Sequence, residues 1–108
     1  LEALPLTFET PDALFVHAGI RPGVPLARQT AQDLTWIRKG FLDDATDHGR
    51  LVIHGHTIVE RPEHRGNRVD IDTGAGQGHA LTAVVVEGRD VFVLAEGRGR
   101  VPLLPMTA

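Results

Sequence analysis

Histidine and glycine stand together after two short apolar segments of this sequence. Leu-Phe-Val is followed by His17, and Leu-Val-Ile is followed by His54-Gly55-His56. A neutral imidazole binds transition metals, and the end of a strand holds the Cα atom of such a residue in a fixed position. The glycine lets the chain bend sharply and lets another group come close. The two patterns therefore predict a metal site at one edge of a sheet.

The other histidines and the spacing of the pair set limits on this hypothesis. His54 and His56 would face the same side of an extended strand, so a bend at Gly55 is needed to separate them. We expect one of the two to be a ligand and the other a neighbour. A buried histidine that is hydrogen-bonded to the backbone is the alternative for His17. The remaining three, His48, His64 and His79, stand among charged residues and glycines and are predicted to be exposed in loops.

Carboxylates and one arginine are further candidates. Asp70 and Asp72 alternate along a predicted strand, where they could act as acid and base or bind metal. The alternative is a structural role for both, one as a residue at the sheet edge and the other as the first residue of a turn. Arg38 has a planar, permanently charged side chain that suits a phosphate dianion. The single tryptophan, Trp36, is predicted to pack in the core.

The composition excludes several classes of protein. The 108 residues carry a formal net charge of −3, which gives no support for binding to nucleic acid or to an anionic membrane. No apolar run approaches the roughly 20 residues that span a bilayer. The sequence has no cysteine, which excludes disulfides and thiolate metal sites and is consistent with the reducing cytoplasm. One domain of ordinary size is the expected organisation.

Strand patterns surround a single helical region. Thr30 and Asp33 indicate a capped helix start, Gly40 divides the helical region in two, and Gly49 ends it. Two apolar runs, 84–86 and 92–94, are predicted to be covered on both faces, and the turn between them is predicted to form a hairpin. The predicted strands are residues 4–9, 13–17, 51–54, 69–73, 81–87 and 91–96. The proline-containing tail is expected to fray or to lie along the surface.

Four motifs in a fixed order resemble a known family. "LFVHAGIRPG", "LTWIRKGFL", "LVIHGHT" and "VDIDTGAG…ALTAVVVEG" are similar to the C-terminal half of the calcineurin-like metallophosphoesterases, and more narrowly to the bacterial serine/threonine phosphoprotein phosphatases. The resemblance extends from about Leu4 to Leu94. It implies an α/β (α+β) fold, half of a β-sandwich flanked by helices, within the four-layer α/β/β/α arrangement of the complete family domain.

The resemblance also implies a role for each motif. Two divalent metal ions, commonly manganese with iron or zinc as alternatives, sit at the sheet edges of this family and activate a water for attack on phosphorus. His17 and His56 correspond to ligands of the second metal, and Arg38 corresponds to the residue that contacts the substrate phosphate. No family role is assigned to His54.

Three further residues are implied to support the site. Asp72 resembles a structural residue next to the metal ligands rather than a ligand itself. Gly55 leaves room for the metal, and the loop after Gly74 would border the substrate cleft.

The remaining ligands of the family come from an N-terminal half. Its Asp-x-His, Gly-Asp…Asp and Gly-Asn-His motifs do not occur here, and the sequence begins with Leu1 rather than methionine. We therefore expect residues 1–108 to be the C-terminal portion of a catalytic domain whose N-terminal half is missing. Alone, this portion should be inactive, and its exposed apolar edges should make it poorly soluble or self-associating.

The sequence thus predicts part of a cytoplasmic, metal-dependent phosphoric-ester hydrolase. Its substrate would be a phosphorylated protein, with phosphoserine or phosphothreonine as the target, or a small phosphoester. A hydrolase of dinucleoside polyphosphates such as diadenosine tetraphosphate has the same motifs and is one alternative. A non-catalytic module that binds one metal or a protein partner is the other alternative.

Overall fold

Two β-sheets and one short α-helix make up the chain. The computed structural model describes residues 7–74, 82–95 and 99–106. The helix α1 is Ala31–Trp36, preceded by a 3₁₀ turn at Leu26–Arg28. The strands are β1 (Thr7–Glu9), β2 (Ala13–Val16), β3 (Leu51–His54), β4 (Glu63–His64), β5 (Arg68–Asp70), β6 (Val84–Glu87), β7 (Asp90–Ala95) and β8 (Gly99–Leu103). At this coarse level, the predicted α+β class is confirmed.

The larger sheet has the order β1-β2-β3-β5-β4. Its three central strands, β2, β3 and β5, run parallel, while β1 and β4 are antiparallel edges. Parallel strands end at the same edge of a sheet, so the residues that follow β2, β3 and β5 are brought together. The smaller sheet, β6-β7-β8, is an antiparallel meander.

Alternation along the central strands divides the core into two layers. Leu14, Val16 and Val52 face α1 and pack with Leu34 and Phe41. The alternate residues of the same strands face the smaller sheet and form the second layer, with Leu51, Ile53, Val69 and Val91 buried. A period of two along each strand is therefore sufficient to build a layer on both sides of the larger sheet.

The helix is shorter than the sequence predicts. Thr30 caps it as expected, since its hydroxyl accepts a hydrogen bond of 3.1 Å from the backbone N–H of Asp33. After Ile37, however, the chain forms turns rather than a second helical piece. Asp44 and Asp47 accept hydrogen bonds from backbone N–H groups two residues ahead. Such local bonds compete with helix formation, which explains why the prediction for residues 38–48 is wrong.

The predictions for the strands are correct in the centre of the sheet and fail at its margins. β3 has the predicted bounds, and the hairpin between β6 and β7 is confirmed. Strands β4 and β8 were not predicted, and β8 includes the first three residues, 101–103, of the tail that was expected to fray or to lie along the surface. The prediction that residues 84–86 and 92–94 are covered on both faces is wrong for the second run, since Leu94 is 50% exposed. The predicted strand residues 4–6, 81 and 96 lie outside the described residues.

No helix in the described ranges has the length and apolar character needed to cross a bilayer.

Candidate functional site

His17 and His56 lie side by side at the carboxyl ends of two neighbouring strands. His17 follows β2 directly and His56 follows β3 by two residues, and their ring centroids are 5.3 Å apart. The two connections are also joined through the backbone, since the N–H of Gly55 donates a 2.7 Å hydrogen bond to the carbonyl of His17. The parallel pairing of β2 with β3 therefore brings together the two histidines that the sequence singled out.

The bend that separates His54 from His56 is centred on His56, one residue beyond the predicted position. His56 has φ of 67°, a left-handed conformation in which glycine is the usual residue. The N–H of Thr57 donates to the carbonyl of Gly55 at 2.7 Å, which closes a three-residue γ-turn around His56. Turns of this hand are rare and strained, and such strain is concentrated at functional sites. The bend leaves His56 half-buried at the edge of the sheet, while His54 stays 1% exposed.

The surroundings of His56 favour its neutral form. Burial lowers the pKa of His56, and the positive charge of Arg38 and the neighbouring His17 lower it further, whereas Asp72 and a hydrogen bond to the backbone of Trp36 raise it. A ring nitrogen that donates to a carbonyl is fixed as the protonated one, so the other nitrogen keeps its lone pair. His56 is thus in the state that a metal ligand requires at neutral pH.

The end of α1 forms a second wall of the site. The N–H of Ala18 donates to the carbonyl of Leu34 at 2.9 Å, which holds the segment after His17 against the helix. Trp36 is 68% exposed, and its ring meets His56 edge-on with centroids 5.2 Å apart. The prediction that Trp36 packs in the core is wrong. The apolar face of this short helix is supplied by Leu34, which leaves Trp36 at the rim of the site.

Arg38 stands at the same rim with its side chain exposed to solvent. Its carbonyl accepts hydrogen bonds from Phe41 at 3.2 Å and Leu42 at 3.0 Å, so its backbone is fixed in a turn. The charge of the Arg38 guanidinium lowers the pKa of His56, so the positive potential of Arg38 extends to the histidine pair. The Arg38 guanidinium could therefore donate hydrogen bonds to an anion that binds beside the two rings.

Asp72 makes the contacts of a supporting residue. Its carboxylate accepts a 3.0 Å hydrogen bond from the N–H of Gly74, and its carbonyl accepts a 2.9 Å hydrogen bond from Val59. The second carboxylate oxygen lies 3.7 Å from the place that a Cβ on Gly55 would occupy. Asp72 therefore joins the segment after β5 to the segment after β3. Gly74 is buried with φ of 82°, and the predicted cleft loop beyond it, residues 75–81, lies outside the described residues.

An open cleft of about 680 Å³ connects the histidine pair with the bare part of the larger sheet. His17, His56 and Asp72 line its polar end, and its apolar end includes Phe8, which is 66% exposed. The rest of the apolar end is formed by Phe15, Ile53 and Ile71. Within the described ranges, the smaller sheet does not cover this corner of the larger sheet.

The spacing of the two rings fits a shared metal ion. With a nitrogen–metal bond of about 2.1 Å, two imidazoles on one ion have centroids roughly 5 Å apart, close to the observed 5.3 Å. Within the described ranges, no group of three or more His, Cys, Asp or Glu side chains is arranged to hold a metal. The pair would thus supply two ligands of such an ion.

Behind the site lies a buried polar trio that we define as His54, Arg68 and Asp70. Each of the three is no more than 6% exposed, and the nearest nitrogens of His54 and Arg68 are 3.0 Å apart. Burial lowers the pKa of His54 to about 4 and raises the pKa of Asp70 to about 7. Arg68 was not among the predicted site residues. Its only signal was an arginine directly before the predicted strand 69–73, and the structure extends that strand to include it.

Of the remaining histidines, His64 is only 5% exposed, because β4 turns it towards the smaller sheet. His48 is half-buried and hydrogen-bonded to Asn67. The prediction that these two are exposed in loops is wrong, and His79 lies outside the described residues.

Comparisons of the chain with protein-family models, with curated proteins and with solved structures give no match.

Proposed function

We propose that this chain is the C-terminal portion of a cytoplasmic metallophosphoesterase of the bacterial serine/threonine phosphoprotein phosphatase type. The observation that carries the proposal is the contact between His17 and His56, whose ring centroids lie 5.3 Å apart at the carboxyl ends of two parallel strands. Ordered motifs that meet in space are more specific than isolated ones. The first metal and the remaining ligands of the second would depend on an N-terminal half.

In this proposal each residue of the chain has a separate task. His17 and His56 hold one divalent cation, manganese with iron or zinc as alternatives. Two such ions, when bound, supply an activated water and neutralise the charge of the phosphoryl group. Arg38 binds the non-bridging oxygens of the substrate and holds phosphorus in line with the attacking oxygen. Asp72 fixes the relative positions of the two loops on which the ligands lie.

The role of Arg38 gives a prediction for the complete enzyme with a phosphopeptide substrate. Replacing Arg38 with alanine should lower turnover about a hundredfold, because a charged donor is lost where charge develops in the transition state. Lys39→Ala is the matched control, since it removes a neighbouring exposed cation and should leave the rate within about twofold. Equal losses in both variants would show that only the general positive charge matters.

Metal binding by the isolated chain provides a test that does not depend on turnover. Mn²⁺ should broaden the NMR signals of the His17 and His56 rings first, and His17→Ala or His56→Ala should abolish that selectivity. His48→Ala removes a half-buried imidazole elsewhere and should change nothing. With p-nitrophenyl phosphate and Mn²⁺, the isolated chain should show no turnover. Broadening spread evenly over all histidines, or robust turnover, would contradict the proposal.

One observation favours a dinucleoside polyphosphate as the substrate. Trp36 places an exposed aromatic ring next to His56, and such a ring can stack on a nucleobase. A complete enzyme that cleaves diadenosine tetraphosphate faster than a phosphopeptide, and loses that preference in Trp36→Ala, would establish this alternative.

A non-catalytic module that binds one metal is the third possibility. It is favoured by the small number of ligands among the described residues. A natural reading frame that starts near Leu1, and a titration that finds at most one weak metal site, would support it.

A further inference from the structure

His54 is the member of the histidine motif that the proposed function does not use. Its ring is buried, with Nε2 3.0 Å from the guanidinium of Arg68 and Nδ1 3.2 Å from the carbonyl oxygen of Gly55. An arginine can only donate hydrogen bonds, so Nε2 must accept and must be unprotonated. The hydrogen of the neutral ring is therefore on Nδ1, which donates to the Gly55 carbonyl. Arg68 thus selects the tautomer of His54.

The carbonyl that His54 holds is the one that closes the γ-turn. It also accepts the 2.7 Å hydrogen bond from Thr57, and the N–H of the same glycine donates to the carbonyl of His17. The peptide groups on the two sides of Gly55 are therefore fixed by one imidazole below and by one strand end beside them. His54 can therefore hold the peptide groups at Gly55 without being a ligand at the polar end of the cleft.

The ring of His54 has little freedom to leave this position. Phe41, which is fully buried, meets it edge-on at a centroid distance of 5.0 Å. Arg68 is anchored in turn, because its second terminal nitrogen lies 3.4 Å from the carbonyl of Leu42. Arg68 thus donates one hydrogen bond to the carbonyl of Leu42 and another to His54, and His54 donates in turn to the carbonyl of Gly55.

We infer that Arg68, acting through His54, is a positioning residue that holds the left-handed bend at His56 and so sets the direction of that imidazole. The inference rests on the proposed function in so far as His56 is treated as a metal ligand. Partners that orient a ligand from behind typically change metal affinity by about 10–100-fold when they are lost. Because Arg68 acts through backbone groups, the lower end of this range is expected.

The experiment compares Arg68→Met with Arg68→Lys and with the control Arg65→Met. Arg65 is a half-exposed arginine three residues away, and its exchange removes the same charge without touching His54. In the metal-free chain, ¹⁵N-resolved NMR reports the tautomer of His54, and hydrogen exchange reports the Thr57 N–H. Titration with Zn²⁺, followed at the His17 and His56 rings, reports the affinity.

Arg68→Met should lower the population of the Nδ1-protonated tautomer of His54, speed the exchange of Thr57 and weaken Zn²⁺ binding about tenfold. Arg68→Lys keeps a donor and should restore the tautomer and most of the affinity, and Arg65→Met should match the wild type. If Arg68→Met does not fold, His54→Phe should give the same faster exchange and weaker binding.

A folded Arg68→Met variant with wild-type Thr57 exchange and wild-type Zn²⁺ affinity would overturn the inference. A wild-type chain whose His17 and His56 rings ignore Zn²⁺ would instead overturn the proposed function. In that case, the tautomer and exchange results alone decide whether Arg68 holds the bend.

Discussion

Replacing Gly19 with alanine should destabilise the fold by about 2–4 kcal/mol, the sum of overpacking and a disfavoured backbone conformation. A Cβ at this position would lie 2.3 Å from a ring carbon of Phe41, far inside van der Waals contact. Phe41 is fully buried between α1 and the larger sheet, so its ring has no room to retreat. Gly19 also has φ of 153°, a backbone angle that residues other than glycine rarely adopt. Urea denaturation followed by circular dichroism measures the loss.

The controls separate the steric cost from the backbone cost. Gly23→Ala also introduces a Cβ at positive φ, but no atom lies within 4 Å of it, so about 1 kcal/mol is expected. Phe41→Leu in the Gly19→Ala background should recover part of the loss, giving a favourable coupling in a double-mutant cycle. If Gly19→Ala and Gly23→Ala cost the same, the contact with Phe41 is not the cause.

Asp70 should make the stability of the chain fall as pH rises. Burial raises its pKa to about 7 in the folded state, above the ordinary value of 3.8. Its stabilising effect is therefore complete below pH 3.8 and is lost as the pH rises towards 7. His54 has the opposite sign, because its pKa of about 4 in the folded state lies below the ordinary 6.5. Its contribution is complete above pH 6.5 and is lost as the pH falls towards 4.

The two dependences should cancel in the wild type between about pH 4 and 6.5. There the unfolded chain has lost a proton at Asp70 and gained one at His54 relative to the folded chain, so the pair releases no net proton on unfolding. Asp70→Asn removes one side of this balance. Its stability relative to the wild type should rise by about 1.4 kcal/mol per pH unit across this window and level off above pH 7.

Urea titrations of Asp70→Asn and the wild type at several pH values between 4 and 8 test this expectation. The amide keeps the acceptor for the N–H of Asp72, and the other carboxylate oxygen of Asp70 has no partner to lose among the described residues. Asp12→Asn exchanges an exposed carboxylate and should show no such rise. A difference between Asp70→Asn and the wild type that does not change with pH would show that Asp70 is ionised throughout.

The central strands could be predicted because their signals are local. An apolar run that ends at histidine gave the bounds of β3, and the repeated pattern around His17 correctly brought two strand ends together. The position of the bend could not be predicted from the glycine alone. The conformation of His56 depends on hydrogen bonds from Thr57 and His54 to one carbonyl, and these exist only once the strands have paired.

The wrong predictions concern features that depend on tertiary packing rather than on the local sequence. Trp36 and Leu34 lie on the same helical turn, and the sequence does not show which of them the sheet will cover. The two-residue strand β4 forms because β5 offers an edge to pair with, so no local sequence pattern could predict it. His64 is buried for the same reason.

Because the backbone at His56 is left-handed, selection for stability and selection for metal binding should favour different residues at this position. Glycine, and to a lesser degree asparagine, adopts such a φ more readily than histidine does. A library randomised at this codon and enriched only for thermal resistance should drift towards those two residues. Histidine should persist only in a library that is also enriched for retention of Zn²⁺.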